Sequence, residues 1–468
     1  MSELLDSDLT PSRVIEYLDR YIVGQEKAKR SVAVALRNRL RRRKLPPEMA
    51  REISPKNILM VGPTGVGKTE IARRIATLVQ APFIKVEATK FTEVGYVGRD
   101  VESMVRDLVE FSVAMVRRRM LEEAQPLAAE QVENRLLDAL FPRSEKKFSM
   151  PDFMRAFGGA EDAQETTPHE EEERSREAGT RARLLAMLRE GRLEDREIDI
   201  EISESSLGIP ILGASGMDSM GINLNEMLSG ILPKRSKKRR MKVSEARRLL
   251  QAEEAEKLID ADALAQEALE KAQEDGIIFL DELDKLVAKG GSSGPDVSRE
   301  GVQRDLLPIV EGSVIQTRYG PLKTDHILFI AAGAFSGVKP SDLIPELQGR
   351  FPIRVELQPL TWENLQQILT EPENSLLKQY SALISTEGTE LRFTPSATRA
   401  IAELASRMNS EMEDIGARRL HTMMEQLLED ISFDVCDNPR PLIEVDESFV
   451  KEKLAGLVED RDIRRYLL

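Results

Sequence analysis

Gly62-Pro-Thr-Gly-Val-Gly-Lys68-Thr69 fills every position of the pattern G-x-x-x-x-G-K-[ST]. Its glycines let backbone N–H groups turn inward onto phosphate oxygens, and the helix that follows adds the positive end of its dipole. In that geometry Lys68 reaches the β and γ phosphates, and the Thr69 hydroxyl ligates Mg²⁺. The pattern needs a strand before it and a helix after it, and the flanking sequence supplies both. Lys56-Asn-Ile-Leu-Met-Val61 is a short apolar run of the kind a buried parallel strand shows. Residues 68–79 carry Ile71, Ile75, Leu78 and Val79 on one helical stripe. Phe83-Ile-Lys-Val86 is a second strand, so the stretch is a βαβ unit and predicts a parallel sheet.

On the amino side, residues 11–44 have helical periodicity that Pro46-Pro47 stops. On the carboxyl side, Val101, Val105, Leu108 and Val109 open a helix running to about Glu123. The character then changes. Residues 143–180 are polar, and the eight carboxylates of 161–177, with no large aliphatic, predict a disordered or loosely packed stretch. Glu197-Ile-Asp-Ile-Glu-Ile202 alternates strictly and predicts a one-faced strand. Ser244 to Asp275 reads as one long helix ending at Gly276. Buried-strand patterns return at Ile277-Ile-Phe-Leu280, His326–Ala332 and Arg354–Leu357. The sheet begun before residue 100 therefore resumes after 276. The expected organisation is a discontinuous nucleotide-binding domain of residues 1–114 and 244–358, a mostly helical inserted domain at 115–243, and a C-terminal helical α+β domain at 359–468.

Composition narrows the function. The 468 residues carry 67 Lys+Arg against 81 Asp+Glu, so the formal net charge of −14 argues against general nucleic-acid binding. A single cysteine, Cys436, excludes a disulfide framework and a Cys-rich zinc module. Three scattered histidines make a His-based metal site a poor reading. The opening Met-Ser-Glu-Leu-Leu-Asp has no basic-then-apolar pattern, and the apolar run Ile327–Phe335 is far short of a membrane span. A cytoplasmic, soluble enzyme is expected.

Ile277-Ile-Phe-Leu-Asp281-Glu282 supplies the other half of a nucleotide site. Four apolar residues end in two carboxylates at the carboxyl edge of a strand, where doubly wound sheets bind ligands. Asp281 is placed to share the Mg²⁺ shell, partly through water, and Glu282 to orient and deprotonate an attacking water. By itself the pair also fits the opening of the next helix, where negative charge suits the dipole.

Together these stretches resemble the AAA+ ATPases and, within them, the HslU (ClpY) family of unfoldases that cap the HslV peptidase in bacteria. The resemblance runs from about Pro11 to Leu468. Tyr21-Ile-Val-Gly-Gln25 is similar to the family's adenine-side element and implies that Val23 lies against the base. Gly65, Val66, Gly67, Lys68, Thr69 and Glu70 are implied nucleotide contacts, with Asp281. Gly95-Tyr96-Val97-Gly98-Arg99-Asp100 is similar to the substrate-gripping pore loop, and Leu343–Arg354 to the segment carrying the arginine finger. There Arg350 would stabilise γ-phosphate charge on a neighbouring subunit, with Glu346 near the same nucleotide. Gly416-Ala-Arg418-Arg419-Leu is similar to the sensor-2 motif, implying that Arg418 reaches the phosphates. The resemblance implies ATP and Mg²⁺ as cofactors, a homo-hexameric ring, and a dodecameric HslV-type peptidase docked through the tail at Tyr466-Leu-Leu. It also implies that this chain feeds protein substrates and does not cut them.

Without the resemblance, Arg350 and Arg418 read as surface or helix-pair cations, and Tyr96 as equally a turn anchor or a grip. One position departs from the family: Ala332 stands where a polar sensor-1 side chain is usual, and Ser336 is the nearest hydroxyl. The basic runs 37–44 and 234–242 lack interleaved aromatics, so a solvated helix face or a rim for acidic substrates is expected over nucleic-acid binding. A ClpX-type unfoldase and a DNA-remodelling motor are the alternatives. The former usually carries a four-cysteine zinc module that one cysteine cannot build.

Overall fold

Eleven strands are placed by the computed structural model, which describes residues 9–53, 55–93, 98–141, 168–203, 236–287 and 299–459. In chain order they are β1 (Ile58–Val61), β2 (Phe83–Glu87), β3 (Glu197–Ser203), β4 (Ser236–Lys242), β5 (Ile277–Asp281), β6 (Val314–Thr317), β7 (Gly320–Lys323), β8 (Leu328–Gly333), β9 (Ile353–Glu356), β10 (Glu390–Phe393) and β11 (Leu442–Val445). Five of them form one sheet in the order β2-β5-β8-β1-β9, with every pairing parallel. Residues of alternate parity go to opposite faces, as a pleated strand requires. Leu59, Val86, Ile278, Leu280, Phe329 and Ala331 join one apolar cluster. Ile58, Met60, Ile277, Phe279, Leu328, Ile330 and Val355 join another. Both faces are therefore buried, which is why these strands read as continuous apolar runs. The doubly wound parallel sheet is present as expected.

Beyond β9 a third cluster forms where the helices Trp362–Thr370, Pro395–Glu411 and Arg418–Asp434 pack around Leu365, Ile401, Met423 and Leu427. β10 and β11 pair parallel beside them, giving the α+β character expected of the C-terminal part.

Val116–Leu264 form a separate compact unit. Its core contains Val132, Leu136, Leu188, Ile198, Ile200 and Leu250. The helix Ser103–Leu140 does not stop near Glu123 but continues through Pro126, because Ala-, Leu- and Glu-rich sequence follows and Val132 and Leu136 are buried there. The expected single helix Ser244–Asp275 is two, Val243–Lys257 and Ala261–Asp275. Asp260 breaks it: its Oδ1 accepts from the N–H of Asp262 at 2.9 Å and of Ala263 at 3.3 Å, the hydrogen bonding of a helix start. The first of the two helices buries Val243, Ala246 and Leu250 in the core of this unit. The end of the stretch expected to be disordered, 168–177, belongs to a helix, Pro168–Arg189, whereas 142–167 lie outside the described residues.

Neither basic run is a solvated helix face. Residues 236–242 are β4, antiparallel to the acidic β3, with Arg240 Nε 2.8 Å from Glu197 and Lys238 Nζ 3.5 Å from Glu201. Opposite charges face each other across the strands and stay exposed to solvent, so this run is a solvated strand face rather than a helix face. In the first run Arg39 and Arg42 are buried. The Arg39 guanidinium donates to the carbonyls of Asp275 (2.9 Å), Gly276 (3.1 Å) and His326 (2.8 Å), just ahead of β5 and β8. Burial pushes its pKa down to about 9, still protonated at neutral pH.

Candidate functional site

The glycine-rich loop lies between β1 and the helix Lys68–Leu78, at the carboxyl edge of the sheet. Gly65 (φ +74°) and Gly67 (φ +98°) take left-handed backbone conformations that side chains resist. Lys68 is buried, and its Nζ donates to the carbonyls of Gly62 at 2.6 Å and Pro63 at 2.7 Å. Burial lowers its pKa, while Asp281 and Asp284 pull the other way.

The neighbouring strand supplies the acids. Asp281 ends β5, with one carboxylate oxygen 2.8 Å from Lys85 Nζ and the other accepting from the Glu282 N–H at 3.1 Å. Glu282 itself has φ +57°, an uncommon conformation for a side-chain-bearing residue and one that concentrates at functional sites. Asp284 is buried and accepts from the Phe335 N–H at 3.2 Å, tying the turn after β5 to the loop after β8.

These groups surround a cavity of about 770 Å³ lined by Gly65, Lys68, Thr69, Asp281, Glu282 and Arg418, among others. Ser336 and Asp284 also line it, whereas Ala332 is fully buried in the core. A second cavity of about 280 Å³ adjoins it, with Tyr21, Ile22, Val23, Val66, Leu360 and Ile368 in its wall. Gly65, Gly67, Glu70, Ala417 and His421 line both. A mostly apolar compartment thus opens into a charged one, a shape suited to a base and its phosphates. Glu70 is held ionised against the cost of burial by Arg73 and Arg74, whose nitrogens lie 2.7 and 2.6 Å from Oε1.

The C-terminal part reaches the loop through backbone. The Ala417 N–H donates to the Gly65 carbonyl at 3.1 Å, and a Cβ on Gly65 would stand 2.0 Å from the Ile415 carbonyl. A Cβ on Gly416 (φ +58°) would lie 2.6 Å from the Thr64 carbonyl. Arg418 is exposed and lines the larger cavity. Arg419 beside it is buried, donating to Asn409 at 3.1 Å and the Glu413 carbonyl at 2.8 Å, which is a packing role.

The structure therefore brings Val23, Gly65, Val66, Gly67, Lys68, Thr69, Glu70, Asp281, Glu282 and Arg418 around two joined cavities. Arg350 and Glu346 line neither; both are exposed, and Arg350 pairs with Glu311 at 2.8 Å. Tyr96 and Val97 lie outside the described residues. Lys85, Asp284 and His421 escaped the sequence reading. Asp284 had a usable signal, three residues beyond Asp281. Lys85 and His421 are placed only by the sheet order and by the docking of the C-terminal turn.

Residues 58–149 match the family described as "ATPase family associated with various cellular activities (AAA)", and residues 204–354 match "AAA domain (Cdc48 subfamily)". Full-length relatives are similar throughout. The "ATP-dependent protease ATPase subunit HslU" of Thermotoga maritima is 55% identical over 466 residues, covering 98% of this chain and 99% of that protein. The proteins of the same name from Shouchella clausii and Persephonella marina are 54% and 52% identical, each covering 99% of this chain and 100% of the relative.

Proposed function

The chain belongs to the HslU family of AAA+ ATPases, and from that membership we propose that it hydrolyses ATP to unfold proteins and thread them into an HslV-type peptidase. The observation that carries the reading is the joined pair of cavities, in which the Lys68 loop, the Asp281-Glu282 strand end and Arg418 converge.

The apolar compartment at Ile22, Val23 and Val66 would take the base, and the loop N–H groups and Lys68 the phosphates. A hard cation prefers oxygen donors, and Thr69 and Asp281 supply them on the same cavity. When bound there, Mg²⁺ would neutralise phosphate charge. Glu282 would hold a water by accepting its hydrogen bond and take its proton as the oxygen attacks the γ-phosphorus and the bond to the β–γ bridging oxygen breaks, releasing ADP and phosphate. Arg418 would add charge from the C-terminal part, so that nucleotide state bears on how that part sits. Arg350 and Glu346, away from their own chain's cavities, would act at a neighbour's nucleotide, which favours an oligomer, and the family resemblance implies that it is a homo-hexameric ring. Within it Tyr96 and Val97 would grip extended polypeptide, and the C-terminal tail would dock on the peptidase. Both segments fall outside the described residues. The three-domain division is proposed with the return from the insertion near Leu264 rather than 243, in line with the compact unit Val116–Leu264.

Among the described residues no helix is long and apolar enough to cross a membrane; we place the enzyme in the cytoplasm. In the test of the chemistry, Glu282→Gln binds ATP with near wild-type affinity and loses hydrolysis at least a hundredfold. Turnover within a few-fold of wild type would remove Glu282 from its role.

A further inference from the structure

Tyr21 stands where three parts of the molecule meet. Its ring forms part of the wall of the smaller, base-side cavity. The Arg74 guanidinium lies over that ring, 3.6 Å from its centroid, where a cation is drawn to the ring face. Arg74 Nε donates to Glu70 at 2.6 Å, and Glu70 follows Thr69 in the chain and lines both cavities. On its other side the Tyr21 hydroxyl donates to Glu373 Oε2 at 2.7 Å. Glu373 is fixed twice more, by its N–H on the Arg20 carbonyl at 3.0 Å and by the Arg20 guanidinium at 3.6 Å. Its chain neighbours Pro372 and Asn374 line the same cavity, and the helix Leu376–Ser385 begins just beyond. Glu70, Arg74, Tyr21 and Glu373 are thus one continuous line of contacts. It runs from the first turn of the loop helix, along the cavity wall, to the entry of the C-terminal helices.

Tyr17 packs edge-on against Tyr21, with centroids 5.3 Å apart, so the ring is held from a third direction. The bond to Glu373 raises the Tyr21 phenol pKa above its ordinary value.

The geometry points to Tyr21 as a positioning residue that latches the C-terminal helices onto the base-side cavity, so that filling the cavity and fixing those helices are a single event. This rests on the reading of the two cavities as the ATP site. The Tyr21–Glu373 and Arg20–Glu373 contacts are solvent-exposed, and each contributes little to folding. Their effect comes through linkage: a nucleotide that binds better with the latch closed also closes it, by the same factor.

The test uses the full chain, a non-hydrolysable ATP analogue, and the variants Tyr21→Phe, Glu373→Ala and the pair together. Tyr21→Phe keeps the ring under Arg74 and removes only the hydroxyl. Calorimetry gives affinity; amide exchange over residues 374–385, with and without analogue, gives fixation. In the wild type the analogue slows that exchange. Each single variant should weaken binding about three- to tenfold and lose most of the nucleotide-dependent protection. The melting temperature without nucleotide should hardly move, and the double variant should be no weaker than the worse single one. Wild-type affinity and protection in Tyr21→Phe would overturn the latch. So would a defect confined to the nucleotide-free melting temperature. If the wild-type chain fails to bind the analogue, it is the ATP reading that falls, and the latch with it.

Discussion

Gly65 and Gly416 face each other so closely that neither has room for a methyl group. A Cβ on one meets the Ile415 carbonyl, and on the other the Thr64 carbonyl. Gly416→Ala adds left-handed backbone strain to that clash. It should push the C-terminal turn off the loop and weaken ATP binding by tenfold or more, while urea unfolding of the protein changes by about 1–2 kcal/mol. ATP affinity at the wild-type level, measured by calorimetry, would show that the backbone contact is not needed. The same residues show what could be read from sequence. Gly65, Lys68, Thr69 and Asp281 announce themselves because phosphate and Mg²⁺ chemistry constrains residue type at fixed spacing. Lys85 does not. It is one of many surface-like lysines until β2 pairs with β5 and sets its ammonium 2.8 Å from Asp281. His421 is likewise silent until the turn at Gly416 docks.

At the scale of elements, the five sheet strands were legible because burial on both faces leaves unbroken apolar runs. Charged stretches were not, because charge alone does not say whether it meets solvent or a partner. Arg39 fills a buried position under β5 and β8, and β4 pairs its cations with the carboxylates of β3. Beside Arg39, Glu274 hydrogen-bonds His326 at 2.7 Å and pairs with Arg42. The His326 bond, ahead of burial acting the other way, holds the Glu274 carboxyl below its usual range. A carboxylate lowered in the folded state contributes stability that is complete above the unfolded value of about 4.3 and is lost as pH falls through the folded one. Glu274→Gln should therefore flatten the acid limb of stability against pH. An equally steep acid limb in the variant would assign it to other carboxylates. Arg39→Met leaves three carbonyls without their donor and should cost about 2–4 kcal/mol in urea unfolding. A loss below about 1 kcal/mol would mean that water replaces the guanidinium there.

At the scale of the molecule, Arg350 is the residue that a single chain leaves unexplained. It is exposed and paired with Glu311 on the surface, and it lines neither cavity of its own chain. In the proposed ring, Arg350→Ala should cut hydrolysis at least a hundredfold while each chain still binds ATP. Normal turnover would place the finger elsewhere. In the proposed function this ATPase works coupled to a separate peptidase. The most direct measurement is degradation of a folded, fluorescent protein by the chain mixed with a purified HslV-type peptidase, with and without ATP. Loss of fluorescence and appearance of peptides only when both proteins and ATP are present is the predicted result. ATP hydrolysis with no degradation in the complete mixture would contradict the peptidase partnership and turn attention to a ClpX-like or DNA-linked motor.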